Sequence, residues 1–342
     1  MAFFRITIHM TDGQQRIGVG VVGATGYGGQ ELVRLLARHP QAELKVALGS
    51  SQTEQPRTLP GLARIWDGEI TGYSPDALAG CDVVFLSTPE AFAATSAAEL
   101  LARGHRVIDL SGAFRLKDPA LRAKFYPATP DPLPDGTLYS LPEFDGPAVP
   151  AAHLISCPGC YPTAALLSLL PLSRAGLLQG DAIVDAKSGI SGAGKGASER
   201  THFSENHGSV AAYGLFGHRH TPEMEQALGL PVTFTPHLVP LDRGILSTTY
   251  ARLKPGVTAA HVADTMRAAY VHAFFVRLTG DRLPEIKHVV HTNFCDIGWK
   301  VDDATGRLIV VAVLDNLLKG AAGQAIQQFN LLYGFPETEG LL

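Results

Sequence analysis

The stretch that most constrains this chain is residues 16–38. Ile17 to Val22 is a short, almost wholly apolar run, the signature of a strand buried on both faces. Gly23-Ala24-Thr25-Gly26-Tyr27-Gly28-Gly29 follows at once, then a helical pattern from about Gly28 to Arg38 with Leu32, Val33, Leu35 and Leu36 on one side. Strand, glycine loop and helix in that order form the context in which a dinucleotide-binding turn is expected. The glycines allow a tight turn and let the backbone approach a pyrophosphate at the helix N-terminus. Gly23, Thr25, Gly26, Tyr27 and Gly28 are therefore candidate cofactor-binding residues.

Strand and helix patterns continue to alternate. Apolar runs at 43–48, 81–87 and 106–110 and a helix from Pro89-Glu90 to about Arg103 point to an α/β fold with a doubly wound, Rossmann-type parallel sheet. An NAD-preferring protein usually ends its second strand in Asp or Glu. Here the strand ends in Gly49-Ser50-Ser51, so Ser50 and Ser51 suit a 2′-phosphate, and NADP is the expected cofactor. Arg57 either assists or is a solvated loop residue. Ser87, Thr88 and Pro89 fall at a strand's carboxyl end, where such sheets bind ligands. The span 127–150, rich in Pro, Asp and Gly, reads as a surface excursion closing the first domain.

Near the middle lies Cys157-Pro158-Gly159-Cys160-Tyr161-Pro162-Thr163, between a strand-like run at 153–156 and an apolar helix to about Arg174. Pro158 and Gly159 force a turn, and Pro162 fits the first helical position. Cys160 is thus placed at a helix N-terminus, which lowers a thiol's pKa and favours the thiolate. A buried structural cysteine is the alternative at this point. Cys157 and Cys160 form one CxxC pair without a second to complete a zinc site. Cys81 reads as inert packing. The remaining cysteine is Cys295. After a strand at 181–186 comes a second glycine-rich loop, 187–196, which lacks the P-loop pattern around Lys195. Its Ser188 and Gly189 are candidate ligand contacts.

Gly217-His218-Arg219-His220-Thr221-Pro222-Glu223 crowds two histidines and an arginine at a helix start, with Thr221 and Pro222 fitting N-cap and first helical position and Glu223 in the first turn. A histidine here can serve as acid or base. HxH lacks a third ligand at a recognisable spacing, so no metal is expected. Strands at 232–234 and 244–253 suggest an antiparallel second sheet. A helix over 258–272, a strand over 307–314 and a final helix to about Tyr333 complete the pattern. With 18% charged residues and a formal net charge of −4, nucleic acid and anionic membranes are poor partners. Residues 1–15 lack the long apolar core of a secretory signal, no run reaches membrane-spanning length, and a cytoplasmic setting is expected.

A dinucleotide turn, one cysteine and a histidine cluster fit one chemistry: a thiolate takes an acyl group as a thioester, which a nicotinamide hydride reduces to an aldehyde. A dinucleotide-free Cys/His hydrolase and a non-catalytic NADP-sensing regulator are the competing classes. From about Arg16 to Leu341 the chain resembles the N-acetyl-gamma-glutamyl-phosphate reductases of arginine biosynthesis, in their longer bacterial form. The motifs that carry the resemblance are Gly23 to Gly29, Asp109 to Leu116, Pro158 to Thr163, Gly217 to Glu223, and Asp315-Asn316-Leu317 with Lys319-Gly320.

The resemblance implies that Cys160 is the nucleophile and that His218 or His220 is the acid/base. His218 is favoured because His220 borders the helix cap. It implies further that Arg115 reaches the acyl phosphate or a substrate carboxylate, with Arg219 and Glu223 as further substrate contacts, and that Asn316 lies near the nicotinamide. It also implies an NADP-binding domain (1–155 and 317–342), an α+β catalytic and oligomerisation domain (156–316), a small-molecule acyl phosphate substrate, and a homo-oligomer, dimer or tetramer. Cys157 stands where the family often has Asn and reads as packing variation. The related aminoadipyl-phosphate reductases tend to carry Gly-Cys-Asn-Ala-Thr at the nucleophile. Gly-Cys-Tyr-Pro-Thr and Pro222 here favour the glutamyl substrate. Aspartate-semialdehyde dehydrogenases share the chemistry with a different histidine motif.

Overall fold

The computed structural model describes residues 16–52 and 55–342. The stretch 1–15, read above as lacking a secretory signal, lies outside them. Among the described residues the strands form two seven-stranded sheets.

The first sheet is built from β1 (Ile17–Val22), β2 (Ala42–Leu48), β3 (Ile70–Thr71), β4 (Val83–Leu86), β5 (Arg106–Asp109), β6 (Thr137–Tyr139) and β7 (Leu154–Ser156). Its order is β3-β2-β1-β4-β5-β7-β6 and every pairing is parallel. Helices α1 (Tyr27–Leu36) and α2 (Glu90–Ala102) cross over from β1 to β2 and from β4 to β5. The order reverses beside β1, so the crevice outside the carboxyl ends of β1 and β4 is the place where a sheet of this kind binds ligands. The final helix, Gly323–Tyr333, returns to this layer. Its Ala325, Ile326 and Phe329 are fully buried in one core with Val19, Val21, Phe85 and Ile108.

The second sheet comprises β8 (Leu178–Gly189), β9 (Ala211–Ala212), β10 (Val232–Val239), β11 (Ile245–Leu253), β12 (Val276–Gly280), β13 (Cys295–Asp302) and β14 (Arg307–Leu314). Its order is β12-β13-β14-β11-β8-β10-β9. The expected antiparallel sheet is in fact mixed, because β10 runs parallel to β8 and β12 parallel to β13. The strands at 276–280 and 295–302 were not anticipated. One inner face of this sheet packs on the Cys160 helix, Cys160–Arg174, whose Leu166, Leu167, Leu169 and Leu172 are buried. Each such leucine contributes about 1.5–3 kcal/mol of transfer free energy.

The span 127–150 is not a plain surface excursion. It contributes edge strand β6, and Leu141, Glu143 and Val149 are buried. Glu143 and Lys319 form an ion pair with both side chains fully buried, and Lys319 Nζ also donates to Gln327 Oε1 at 2.6 Å. This pair fastens the excursion to a π-helical turn, Leu318–Ala322, ahead of the last helix. π turns inside helical segments concentrate at functional sites.

Candidate active site

Both layers open onto one cavity of about 370 Å³. On one side it is lined by Gly26, Tyr27 and Gly28, with Ser87 and Thr88 at the end of β4. On the other stand Arg115, Gly159, Cys160 and His220, with Asn316 and Gly320 closing the floor. The loop after β8 contributes Ser191, Gly192, Gly194 and Lys195.

The Cys160 helix begins at Cys160 itself, with Gly159 as N-cap at φ −67° and ψ 159°. Pro162 is therefore the third helical residue and not the first. The reason it is tolerated is unchanged, since first-turn N–H groups have no intrahelical acceptor. Gly159 is required by its neighbours: a Cβ there would stand 2.3 Å from His220 Nε2 and 2.7 Å from Arg115 Nη1. The π turn meets Cys160 from below, and a Cβ on Gly320 would stand 2.8 Å from that of Cys160. Cys160 is held between two glycines.

Burial pushes the Cys160 thiol up to about 11; Arg115 and the amide at the helix start act the other way without overcoming it. The helix terminus alone therefore does not make a thiolate, as the sequence had suggested. His220 is pushed well below the usual imidazole range, first by burial and then by the nearby charges. Both shifts favour the uncharged forms, thiol and neutral imidazole. The His220 helix runs His220–Leu228 with Arg219 as N-cap, so Thr221 and Pro222 sit two residues deeper than the capping pattern implied.

Arg115 is buried and held on three sides. Its Nε donates to Cys157 O at 2.9 Å, Nη2 to Leu110 O at 2.7 Å and Nη1 to Glu223 Oε2 at 3.3 Å. Nη1 also lies 3.4 Å from His220 Nε2. An arginine so fixed presents its remaining N–H to the cavity in one orientation.

The turn after β1 suits a dinucleotide. Gly23 has φ +85°, and a Cβ there would stand 2.1 Å from Ser87 O. Gly29 packs equally tightly on Gly23 O. Helix α1 starts from Gly26 with no side-chain cap and no acidic residue in its first turn, so its first N–H groups face the cavity uncompensated, as an anionic pyrophosphate requires. Thr88 Oγ1 beside it is buried without a partner among the described residues. Among those residues no group of His, Cys, Asp and Glu could hold a metal ion.

Residues 18–152 match the family model described as semialdehyde dehydrogenase, NAD binding domain, and residues 160–316 the one described as semialdehyde dehydrogenase, dimerisation domain. An N-acetyl-gamma-glutamyl-phosphate reductase of Symbiobacterium thermophilum is 48% identical, with 95% of this chain and 97% of that protein covered. The chain belongs to the N-acetyl-gamma-glutamyl-phosphate reductase family. A reductase of the same name from Shouchella clausii is 44% identical over 94% of this chain and 97% of its own. Among solved structures, aspartate semialdehyde dehydrogenase II of Vibrio cholerae complexed with ASA superposes with a TM-score of 0.72 at 18% identity, covering 94% of this chain and 99% of that one. That likeness is one of fold. The chain is thus an oxidoreductase of semialdehyde dehydrogenase type.

Against this family pattern, the structure brings together Cys160, His220, Arg115, Asn316, Gly26, Tyr27 and Gly28. Thr25 sits beside them, its carbonyl accepting from Lys195 Nζ at 3.2 Å. Other expected site residues lie off the cavity's lining. His218 does not line the cavity. It packs edge-on against Tyr161, Tyr213 and Phe234, and its Nδ1 accepts from His220 N at 3.1 Å. Glu223 is fully buried, with both oxygens engaged by Gly159, Tyr139 and Arg115, and does not line the cavity. Arg219 is exposed, paired with Glu90 and stacked near Tyr126. Ser188 and Gly189 lie behind the wall, Gly189 against the backbone of Arg243. The lining falls a few residues later, at Ser191 to Lys195. Ser50 and Ser51 follow β2 outside the cavity's lining. Gly320 and Ala321 were missed as lining residues; the Lys319-Gly320 motif after Asn316 was the available signal.

Proposed function

We propose that the chain reduces N-acetyl-gamma-glutamyl phosphate to N-acetylglutamate semialdehyde and phosphate with NADPH, in arginine biosynthesis. The observation that carries the reading is the single cavity in which the dinucleotide turn faces Cys160 and His220. His220 takes the Sγ proton as sulfur attacks the acyl carbon. The carbon–oxygen bond to phosphate breaks, phosphate leaves, and the acyl group stays on Cys160 as a thioester. N–H groups at the start of the Cys160 helix donate to the oxyanion that forms on the way. Arg115 binds the phosphate or the substrate carboxylate. Gly23, Thr25, Gly26, Tyr27, Gly28 and Asn316 would hold NADPH, with Ser50 and Ser51 toward its 2′-phosphate; when bound it supplies the hydride.

In this reading residues 1–155 and 317–342 form the NADP-binding domain and 156–316 the catalytic and oligomerisation domain of a homo-oligomer working in the cytoplasm. Among the described residues no helix is long and apolar enough to cross a membrane. The cited relatives carry the glutamyl name, which disfavours an aminoadipyl substrate. The test is the reverse assay. NADP, phosphate and N-acetylglutamate semialdehyde should yield NADPH, the aminoadipate counterpart little, and Cys160→Ser none while it still binds NADPH. Turnover retained by Cys160→Ser would overturn the mechanism.

A further inference from the structure

The turn between β10 and β11 touches three walls of the cavity without lining it. Arg243 in that turn donates from Nη2 to Glu31 Oε1, and its Nη1 lies 3.6 Å from Asp315 Oδ2. Glu31 is a buried residue of α1, in the turn of helix following Tyr27 and Gly28. Its second oxygen is paired with Arg34 at 2.7 Å. Asp315 is fully buried and holds the chain that passes the nucleophile. Its Oδ1 accepts from Leu317 N at 2.8 Å and Leu318 N at 3.1 Å, and its carbonyl accepts from Gly320 N at 2.9 Å.

The backbone of the same turn does the rest. Gly244 N donates to Asn316 Oδ1 at 2.8 Å, and Asn316 Nδ2 donates to Ser191 Oγ at 3.0 Å. Gly244 O and Leu241 O receive Gly189 N and Ile190 N at 2.9 and 2.8 Å. Gly244 has φ +104°, and a Cβ there would stand 2.3 Å from Ile286 Cγ2. The turn is therefore fixed in one shape.

We infer that Arg243 is a positioning residue that ties the dinucleotide helix to the Asn316–Gly320 segment, fixing the cofactor cradle at one distance and angle from Cys160. The inference rests on the function proposed above. It makes a specific division between steps. Acylation uses Cys160, His220 and Arg115, which are joined to one another through Gly159 and Glu223 and not through Arg243. Hydride transfer needs both sides of the cavity in register, and a misplacement of about 1 Å there can cost ~100-fold. Loss of the Arg243 bridge should therefore slow the second step and spare the first.

The experiment compares wild type, Arg243→Gln, Arg243→Lys and Glu31→Gln as full chains. Steady-state kcat is read with NADPH, phosphate release on mixing with acyl phosphate without NADPH, and NADPH affinity by fluorescence. Arg243→Gln should lower kcat ~10- to 100-fold, with the phosphate burst and NADPH affinity each within about 3-fold of wild type. Arg243→Lys should recover part of the loss. Glu31→Gln removes the same bridge from the other side and carries the test if Arg243→Gln does not fold. An unchanged kcat in a folded variant, or a burst lost in proportion to kcat, overturns the inference. If wild type itself shows neither burst nor turnover, the proposed reaction has failed instead, and the two outcomes are distinct.

Discussion

Glu223 accepts the backbone N–H of Gly159 at 2.8 Å, so a carboxylate on the His220 helix anchors the N-cap of the Cys160 helix. The same side chain pairs with Arg115 at 3.3 Å and accepts from Tyr139 OH at 3.0 Å. One buried carboxyl group thus joins the cap of the Cys160 helix, the cavity's arginine and edge strand β6. Glu223→Gln keeps size and an acceptor for Gly159 but leaves the Arg115 charge unpaired in the interior. Removing one partner of a buried pair costs about 3–5 kcal/mol. Urea unfolding should show a loss of that order, with kcat lowered ~10-fold or more through misplacement of Arg115. An unshifted midpoint would show that the pair is not what holds the cap.

Gly320→Ala tests the other contact on Cys160. The added Cβ would stand 2.8 Å from Cys160 Cβ and 3.3 Å from Asp315 O. One neighbour must give, and the buried π turn has little room to do so. Overpacking of this kind costs about 1–3 kcal/mol. Stability should fall within that range while kcat falls ~10- to 100-fold, because the strain bears directly on the sulfur's position. Alkylation of Cys160 should slow in parallel with turnover.

The sequence made the first layer and the identity of the cavity's local motifs legible, because each rests on neighbours in the chain. A glycine turn between a buried strand and a helix, and a cysteine at a helix start, are encoded within about ten residues. What was not legible depends on distant partners. That His220 lines the cavity and His218 does not depends on distant packing, including Arg115, a residue 105 positions away whose Nη1 lies 3.4 Å from Nε2 of His220. The thiol's raised pKa follows from how deeply the second layer buries it. The role of Glu223 required knowing that Gly159 and Tyr139 converge on it. Strand β13 was legible and went unread: Cys295, Ile297, Trp299 and Val301 alternate with Asp296, Gly298, Lys300 and Asp302, the period of a strand.

Ser50→Asp should alter cofactor choice. Ser50 lies two residues beyond the end of β2, where a carboxylate would favour a ribose 2′-hydroxyl and repel a 2′-phosphate. Charges a few ångströms apart interact by about 1–4 kcal/mol between bulk-water and near-surface screening. The ratio of kcat/KM for NADPH over NADH should fall by at least ~5-fold, chiefly through KM for NADPH. An unchanged ratio would place the 2′-phosphate elsewhere.

The two histidines should separate cleanly in turnover. His220 lines the cavity with Cys160, whereas His218 packs among aromatic rings behind it. Removing a general base typically costs ~100- to 10,000-fold. His220→Asn should show a loss in that range in single-turnover acylation. His218→Gln, which can still accept from the amide of residue 220, should remain within about 10-fold of wild type. The reverse ranking would return the acid/base role to His218.

The same His218→Gln variant carries a prediction about acid stability. Burial, reinforced by the Arg219 charge, pushes His218 down to about 4 from an ordinary value of 6.5. In the unfolded chain the imidazole takes up a proton as pH falls through about 6.5, while in the folded protein it stays neutral until about 4. Across that window the unfolded state binds more protons, so folding stability declines as pH falls and is fully restored above it. Carboxylates also titrate at the low end, but they do so in wild type and variant alike. The informative quantity is therefore the difference in urea midpoint between the two proteins, measured at steps from pH 7 to pH 4.5. At pH 7 that difference reflects only lost packing against Tyr161, Tyr213 and Phe234. As pH falls it should move steadily in favour of His218→Gln, which has no proton to gain on unfolding. Parallel curves for the two proteins would mean that His218 titrates normally in the folded state, and that the aromatic pocket does not exclude its charged form.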